Sequence, residues 1–183
     1  MVFNINDIRG ALPLGGARPT LFSVQFVNPS SSVADIKVPF LCEAASLPDS
    51  RLGVIQVPYF GRTIKLAGDR TFNPWTVTIM NDEDFAIKNA LETWSNAINS
   101  MQGNLRGFGT SASAAYKTNA LVRQYGKTGQ TLREYTFNGI YPAEISQIEL
   151  NWGSTDSIER FSIGFQYDFW YVSGGMTGTG GGL

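Results

Sequence analysis

The chain has 183 residues, a formal net charge of -1 and no histidine. Histidine is the usual general base near neutral pH and a common metal ligand, so its absence excludes Ser-His-Asp and Cys-His catalysis and histidine-containing zinc sites. The single cysteine, Cys42, excludes an internal disulfide and fits a reducing compartment. We expect no cofactor and no metal, and only carboxylate chemistry stays open.

The first part of the chain predicts an arm followed by two strands. Residues 1–18 are rich in Gly and Pro and are expected to form an arm. A half-buried strand is then predicted from the alternation of Phe22, Val24 and Phe26. A second strand is predicted with Val38, Phe40, Cys42 and Ala44 on one face.

A hairpin and another strand are predicted next. Residues 54–59 and 62–66 flank Phe60-Gly61, a plausible hairpin turn, although Pro58 limits ladder hydrogen bonding. The strand covers residues 71–80, with Trp75, Val77 and Ile79 sharing one face.

One helix is predicted at about residues 82–101. Asn81 or Asp82 could cap it, and the acids at 82–84 suit the positive end of a helix dipole. A stripe at spacings of three and four predicts a core-facing side rather than a cofactor site. Its members are Ile87, Leu91, Trp94, Ile98 and Met101.

The second half of the chain predicts a mobile loop and two hairpins. The loop is the Gly/Ser/Ala-rich segment 102–116, and Gly126-Lys-Thr is a turn, because Leu121 stands where a phosphate-binding loop needs glycine. The first hairpin pairs residues 117–125 with 131–138. The second pairs 145–152 with a long strand at 158–172, in which Trp170 is expected to contact the helix. Residues 173–183 form a flexible Gly-rich tail.

The predicted fold is mainly β: an antiparallel barrel or sandwich over residues 19–172 with one flanking α-helix. Long strands have edges that invite pairing between chains. The charge distribution also favours contacts between copies, because residues 51–70 are mostly basic and residues 134–170 hold six acids against Arg160. Self-complementary surfaces explain this pattern, and ordinary solvated faces explain it equally well.

Two stretches carry a resemblance to a known family. The first is GDRTFNPWTVTIMNDE at residues 68–83, and the second is Tyr116-Lys117 followed by ALVRQY at 120–125. Both resemble the tail tube proteins of T-even-type contractile-tailed bacteriophages. Shorter matching stretches occur in the family's order at 17–22, 42–48, 150–152 and 167–170, so the resemblance covers most of residues 17–171.

The resemblance implies a structural subunit of the virion, not an enzyme. Such subunits form hexameric rings that stack into a tube inside a contractile sheath and are assembled in the host cytoplasm. The inner wall is a continuous β-barrel to which every subunit contributes strands. DNA passes through this lumen without specific binding, and an acidic wall would repel its phosphates. The implied partners are other copies of the chain, the sheath protein, and the baseplate and terminator proteins.

Seven residues are candidates for the subunit interface. The excursion at residues 46–66 is a candidate ring-to-ring contact, and a mixed Arg/Tyr strand face suits an interface, although an exposed strand explains it nearly as well. Asp69 and Arg70 form either an intersubunit ion pair or a turn residue beside a solvated arginine. The full set is Tyr59, Phe60, Arg62, Asp69, Arg70, Arg123 and Tyr125.

Two other functions stay open. A related tube-type protein, such as a baseplate tube initiator, a tail terminator or the tube of a phage-like contractile injection system, would share the fold. A hydrolase using carboxylates is the remaining enzymatic hypothesis, but no pocket motif supports it. Its candidate residues are Asp82, Glu83, Glu144 and Glu149.

Overall fold

The computed structural model describes residues 4–13, 15–107 and 113–180, apart from the side chain of Val33. Part of the predicted mobile loop, residues 108–112, and the last three residues of the predicted tail lie outside this range. The helices are α1 (Ile5–Ala11), α2 (Val33–Leu41) and α3 (Ala86–Ile98), with one 3-10 turn at Ser113–Ala115. No described helix is long and apolar enough to span a membrane.

The described residues also contain nine strands. They are β1 (Phe22–Phe26), β2 (Cys42–Ala45), β3 (Arg51–Tyr59), β4 (Arg62–Thr71), β5 (Trp75–Met80), β6 (Thr118–Tyr125), β7 (Thr131–Ile145), β8 (Arg160–Gln166) and β9 (Phe169–Gly174). All pairings are antiparallel. The predicted class, mainly antiparallel β, is confirmed.

Strand β7 joins two four-stranded layers. Its first half lies between β6 and β9, and β6 in turn pairs with β1. Its second half pairs with β8, which is followed by β5 and β2. The layer β1–β6–β7–β9 is called the first sheet below, and β7–β8–β5–β2 the second sheet. The hairpin β3–β4 pairs with neither of them.

The predicted long final strand at 158–172 is two strands, β8 and β9, and its predicted partner is also wrong. Strands β8 and β9 both pair with β7, and the pairing of β8 continues into that of β9 without an offset. Phe165 lies opposite Pro142, and Trp170 lies opposite Phe137. Residues 167–168 interrupt the strand. The partner is therefore β7, whereas residues 146–159 form a loop that connects β7 to β8. Of the predicted strand 145–152, only Ile145 pairs as a strand, and the apolar side chains of Leu150 and Trp152 are exposed instead of facing a core.

A bulge at Gly139 changes which face of β7 points inward. Tyr135 and Phe137 are buried before it, whereas Ile140 and Pro142 are buried after it. Gly139 has a φ of 70°, a conformation that glycine adopts at little cost. This switch lets one strand serve the cores of both sheets.

An aromatic cluster fills the space between the sheets and the helices. Trp75 stacks on Phe137 with ring centroids 4.3 Å apart, and Phe165 lies 5.3 Å from Phe26 and 6.3 Å from Trp94. The indole N–H of Trp94 donates to the carbonyl of Tyr116 at 3.0 Å, so its polar atom is satisfied although the ring is fully buried.

The predicted helix exists but is shorter than expected. Ile87, Leu91 and Trp94 are buried as predicted, whereas Met101 is 82% exposed and lies beyond the helix end. Phe85 has a φ of 50°, which interrupts helical geometry before Ala86. The acids at 82–84 therefore form a turn ahead of the helix, where Asp84 accepts a hydrogen bond from the Ala86 N–H.

The predicted second strand is mostly a helix, α2. Val38 is fully buried and Phe40 is 82% exposed, which rules out one shared strand face. Ala34 and Val38 are both fully buried and lie four residues apart, the spacing of one helix face. Only Cys42–Ala45 pairs as a strand, with β5.

Trp170 does not make the predicted helix contact. Its indole N–H donates to the carbonyl of Asp49 at 2.8 Å, and its ring lies 5.9 Å from that of Tyr135. A different residue, Asn28, connects the helices α2 and α3 to each other. Its backbone N–H donates to Asp35, and its side-chain amide donates to the carbonyl of Ala90.

Candidate assembly interface

The hairpin β3–β4 projects from the body of the protein without covering any core. Every residue of β3 is exposed, and so is every residue of β4 except Gly68. The turn consists of Phe60 and Gly61, with φ values of 44° and 79°. Two positive φ angles give a turn whose twist matches that of the strands it joins. The predicted hairpin is therefore confirmed, including its turn.

The two faces of the hairpin differ in character. Residues opposite each other in an antiparallel pair share a face, and neighbours along a strand alternate. One face holds the pairs Ile55–Leu66, Val57–Ile64 and Tyr59–Arg62. The other holds Val54–Ala67, Gln56–Lys65 and Pro58–Thr63. The first, called the apolar face below, consists of Ile55, Val57, Tyr59, Ile64 and Leu66, which are 41–65% exposed.

At the base of the hairpin, the strands approach closely. A Cβ on Gly68 would lie 3.1 Å from the carbonyl carbon of Gly53, and the register shifts at this point. Asp69 lies in β4, so its interpretation as a turn residue is wrong. Neither Asp69 nor Arg70 forms an ion pair with any residue that the structure describes. Both are free for a contact with another molecule.

Arg123 and Tyr125 belong to a different surface, the outer face of the first sheet. Arg123 forms an ion pair with Glu134 and donates to Gln25 at 2.6 Å, while Tyr125 bonds to Ser23 at 2.9 Å. Ser173 donates to Glu134 at 2.8 Å. Two hydrogen bonds hold the pKa of Glu134 below its ordinary value. The one from Arg123 has the larger effect, and the one from Ser173 the smaller. A polar network thus crosses all four strands.

The described residues contain no group of three or more His, Cys, Asp or Glu side chains that could hold a metal ion. Burial raises the pKa of the Cys42 thiol to about 12, so it is a poor nucleophile. Asp82 pairs with Lys37 at 3.0 Å, and its neighbour Asp84 binds the same ammonium group. These carboxylates stabilise the contact between α2 and the turn before α3.

The structure therefore divides the seven predicted interface residues between two surfaces. Tyr59, Phe60 and Arg62 meet at the hairpin tip, and Asp69 and Arg70 lie at its base. Arg123 and Tyr125 lie on the first sheet. Ile55, Val57, Ile64 and Leu66 lie within the excursion at 46–66 that was predicted as a ring-to-ring contact, but they are not among the seven single candidates. Their alternation along both strands is a readable signal of an apolar face.

Comparison with known proteins decides the family. Residues 17–173 match the family described as phage tail tube protein.

The chain belongs to the phage tail tube protein family.

Its relatives within the family cover nearly the whole chain. The tail tube protein gp19 of Enterobacteria phage T4 is 34% identical over 168 residues, which is 91% of this chain and 98% of the relative. The tail tube protein of Serratia phage KSP90 is 26% identical, and the match covers 89% of this chain and 93% of the relative. A phage tail tube protein is a structural protein, so the chain is not an enzyme.

Solved structures of contractile injection systems share the fold. A chain from the sheath/tube terminator of the PVC extracellular contractile injection system has a TM-score of 0.63 at 14% identity, covering 87% of this chain and 97% of its own. A chain from the tube-terminating cap of the anti-feeding prophage has a TM-score of 0.62 at 16% identity. The match covers 86% of this chain and 90% of the cap chain. At this identity the likeness concerns the fold alone.

Proposed function

We propose that this chain is the repeating subunit of a phage tail tube. Copies form hexameric rings that stack inside a contractile sheath, with the baseplate at one end and a terminator at the other. The resulting tube conducts DNA into the host. The observation that carries this proposal is the exposed hairpin β3–β4 in a member of the tail tube family.

The hairpin needs a partner for a physical reason. An isolated two-stranded hairpin is at best marginally stable in water, and this one shows five large apolar side chains on one face. Contiguous exposed apolar surface marks a site of interaction. A neighbouring subunit that covers the apolar face would stabilise the hairpin and would also remove its apolar side chains from water.

The first sheet is suited to form the wall of the lumen. Its edge strands, β1 and β9, each pair with one neighbour among the described strands, which leaves their outer edges open to strands of adjacent subunits. Ring closure would remove these edges. The network on its outer face pairs Arg123 with Glu134, so this cation is already neutralised. Such a wall offers little to hold DNA phosphates.

The ends of the chain are the remaining parts that neighbours could order. Helix α1 contains no buried residue, so nothing in the isolated subunit fixes it by packing. We propose that the arm at 1–18 settles against adjacent subunits. The predicted flexible tail at 173–183 is less free, because residues 173–174 belong to β9 and the backbone N–H groups of Met176 and Thr177 donate to the carbonyls of Thr131 and Leu132. Virion assembly in the host cytoplasm, where Cys42 stays reduced, fits this scheme.

The tube role is favoured over a role at the tube ends. The relatives at 26–34% identity are tail tube proteins, whereas the terminator and cap chains share only the fold at 14–16%. A tube subunit stacks on further copies of itself, so it needs a subunit contact that can repeat along the tube. A protein at the tube end does not need such a contact.

Negative-stain electron microscopy of the purified chain over a range of concentrations tests the proposal. The expected result is rings or hollow tubes with six-fold symmetry that become more abundant as the concentration rises. Dispersed monomers at every concentration, even after addition of tube-initiating baseplate components, would contradict it.

A further inference from the structure

A second exposed surface lies in the loop between β7 and β8. This loop, residues 146–159, is called the end loop. Its side chains include Trp152, which is fully exposed, Leu150 at 79% and Ile158 at 59%. It also carries Glu149, Asp156 and Glu159 and no basic residue. Glu149 and Asp156 form no ion pair within the described part of the chain.

The hairpin β3–β4 has the opposite charge. It contains Arg51, Arg62, Lys65 and Arg70 against the single acid Asp69. None of these five residues pairs with a charge elsewhere among the described residues. By strand alternation, Arg51 and Arg62 lie at the two ends of the apolar face. The hairpin and the end loop are therefore both apolar in part, and their charges are complementary.

The fold keeps these two surfaces apart within one chain. The hairpin leads into β5 at Trp75, which pairs with Phe165, whereas the end loop leads into β8 at Arg160, which pairs with Met80. The backbone N–H of Asn81 donates to the carbonyl of Glu159, which fixes the end loop beside the far end of β5. Six residues of strand separate the two ends, a distance of about 17 Å.

Complementary surfaces at opposite ends of a subunit make a heterologous contact. Such a contact joins head to tail, and it repeats into a ring or an open stack according to the rotation between copies. A hairpin that met another hairpin would instead bring two basic surfaces together, which opposes association.

We infer that the hairpin β3–β4 of one copy docks with its apolar face on the end loop of a neighbouring copy, where Trp152 is the main apolar anchor. Arg51 and Arg62 then approach Glu149 and Asp156. This inference rests on the proposed function, since it requires that copies of the chain assemble, and it adds which surface receives the hairpin.

Charge reversal on each surface tests the inference. The hairpin variant carries Arg51→Glu and Arg62→Glu, the loop variant carries Glu149→Lys and Asp156→Lys, and the combined variant carries all four. Each two-site variant should raise the concentration needed for half-maximal assembly about tenfold or more, because like charges then face each other. The combined variant should return toward the wild-type concentration. Lys65→Glu, on the opposite face of the same hairpin, is the matched control and should have a smaller effect.

The assembly is measured by sedimentation velocity and electron microscopy, and circular dichroism checks that each variant is folded. Rescue in the combined variant supports the contact. Loss of assembly in both two-site variants without rescue would overturn it, as would assembly of both variants at wild-type concentrations. In the second case the wild-type chain still forms tubes, so the proposed function survives while the docking surface is wrong. A wild-type chain that never assembles contradicts the proposed function instead.

A cross-linking experiment gives an independent readout. In a Cys42→Ser background, one batch carries Phe60→Cys at the hairpin tip and another carries Ser154→Cys in the end loop, which leaves Trp152 in place. Disulfide-linked dimers should form in the mixture at assembling concentrations and exceed those in either batch alone. Equal yields in the mixture and the separate batches would count against the contact.

Discussion

The carboxylate of Asp168 lies where a side chain on Gly139 would have to be. A Cβ built on Gly139 overlaps Asp168 Oδ2, and the same carboxylate binds Lys117 Nζ at 2.6 Å. The backbone N–H of Asp168 also donates to the carbonyl of Asn138 at 3.0 Å. The bulge in β7 and the break between β8 and β9 are thus fitted to each other, and they mark the point where the two sheets diverge.

Gly139→Ala should destabilise the fold by about 1–3 kcal/mol. Alanine is strained at a positive φ, and its Cβ would also displace the Asp168 side chain. Gly129→Ala is the matched control. Gly129 has a φ of 82°, but an added Cβ meets nothing within 4 Å. Urea unfolding of both variants separates the clash from the backbone cost. Equal losses of stability would show that the contact with Asp168 has no effect.

Phe165→Ala should destabilise the subunit by about 3–5 kcal/mol, since it removes a buried ring and leaves a cavity. The ring is fully buried and touches the aromatic groups of three other elements, including Trp75 of β5 and Trp94 of α3. Phe169→Ala, at a position 38% exposed, should cost much less. Thermal unfolding monitored by circular dichroism provides the comparison, and similar losses for both variants would contradict the assigned core.

The ion pair between Arg123 and Glu134 should make stability depend on pH in acid. The pKa of Glu134 is lowered from its ordinary value of 4.5 in the folded state. Its stabilising contribution is therefore present above that value and is lost as the pH falls through the folded-state pKa. The difference in unfolding free energy between wild type and Glu134→Gln should be largest near neutral pH and shrink below about pH 4.5.

Glu144→Gln is the control for this pH dependence. Glu144 is exposed and forms no ion pair in the part of the chain that the structure describes. Its replacement should have little effect at any pH. A Glu134→Gln difference that stays constant from pH 7 to pH 3 would contradict the proposed cause.

The features that were predictable from sequence are those with a local signal. The alternation around Trp75, Val77 and Ile79 identifies β5, and Phe60-Gly61 between two β-rich runs identifies the hairpin turn. The interface prediction selected the hairpin tip and base because charged and aromatic residues are conspicuous there. The apolar residues between them fall within the predicted contact segment 46–66, but they are not singled out, because apolar residues in a strand are usually assigned to a core.

The features that were missed depend on tertiary context. Val38 and Phe40 of α2 and Cys42 at the start of β2 mimic strand alternation. Only packing of α2 against α3 and β1 shows that the spacing of Ala34 and Val38 is the relevant one. The partner of β8–β9 depends on pairing across a 14-residue loop, which periodicity within one segment does not specify. The left-handed Phe85 likewise has no sequence signature, so the start of α3 was placed too early.

The most direct test of assembly through the hairpin compares two substitutions on its opposite faces. Ile64→Asp places a charge at the centre of the apolar face, and Thr63→Asp places the same charge on the other face. Neither residue contributes to the core, so both variants should fold like the wild type. Electron microscopy with sedimentation velocity should show tubes or rings for the wild type and Thr63→Asp, and folded monomers for Ile64→Asp. Tubes formed by Ile64→Asp at wild-type concentrations would contradict the account.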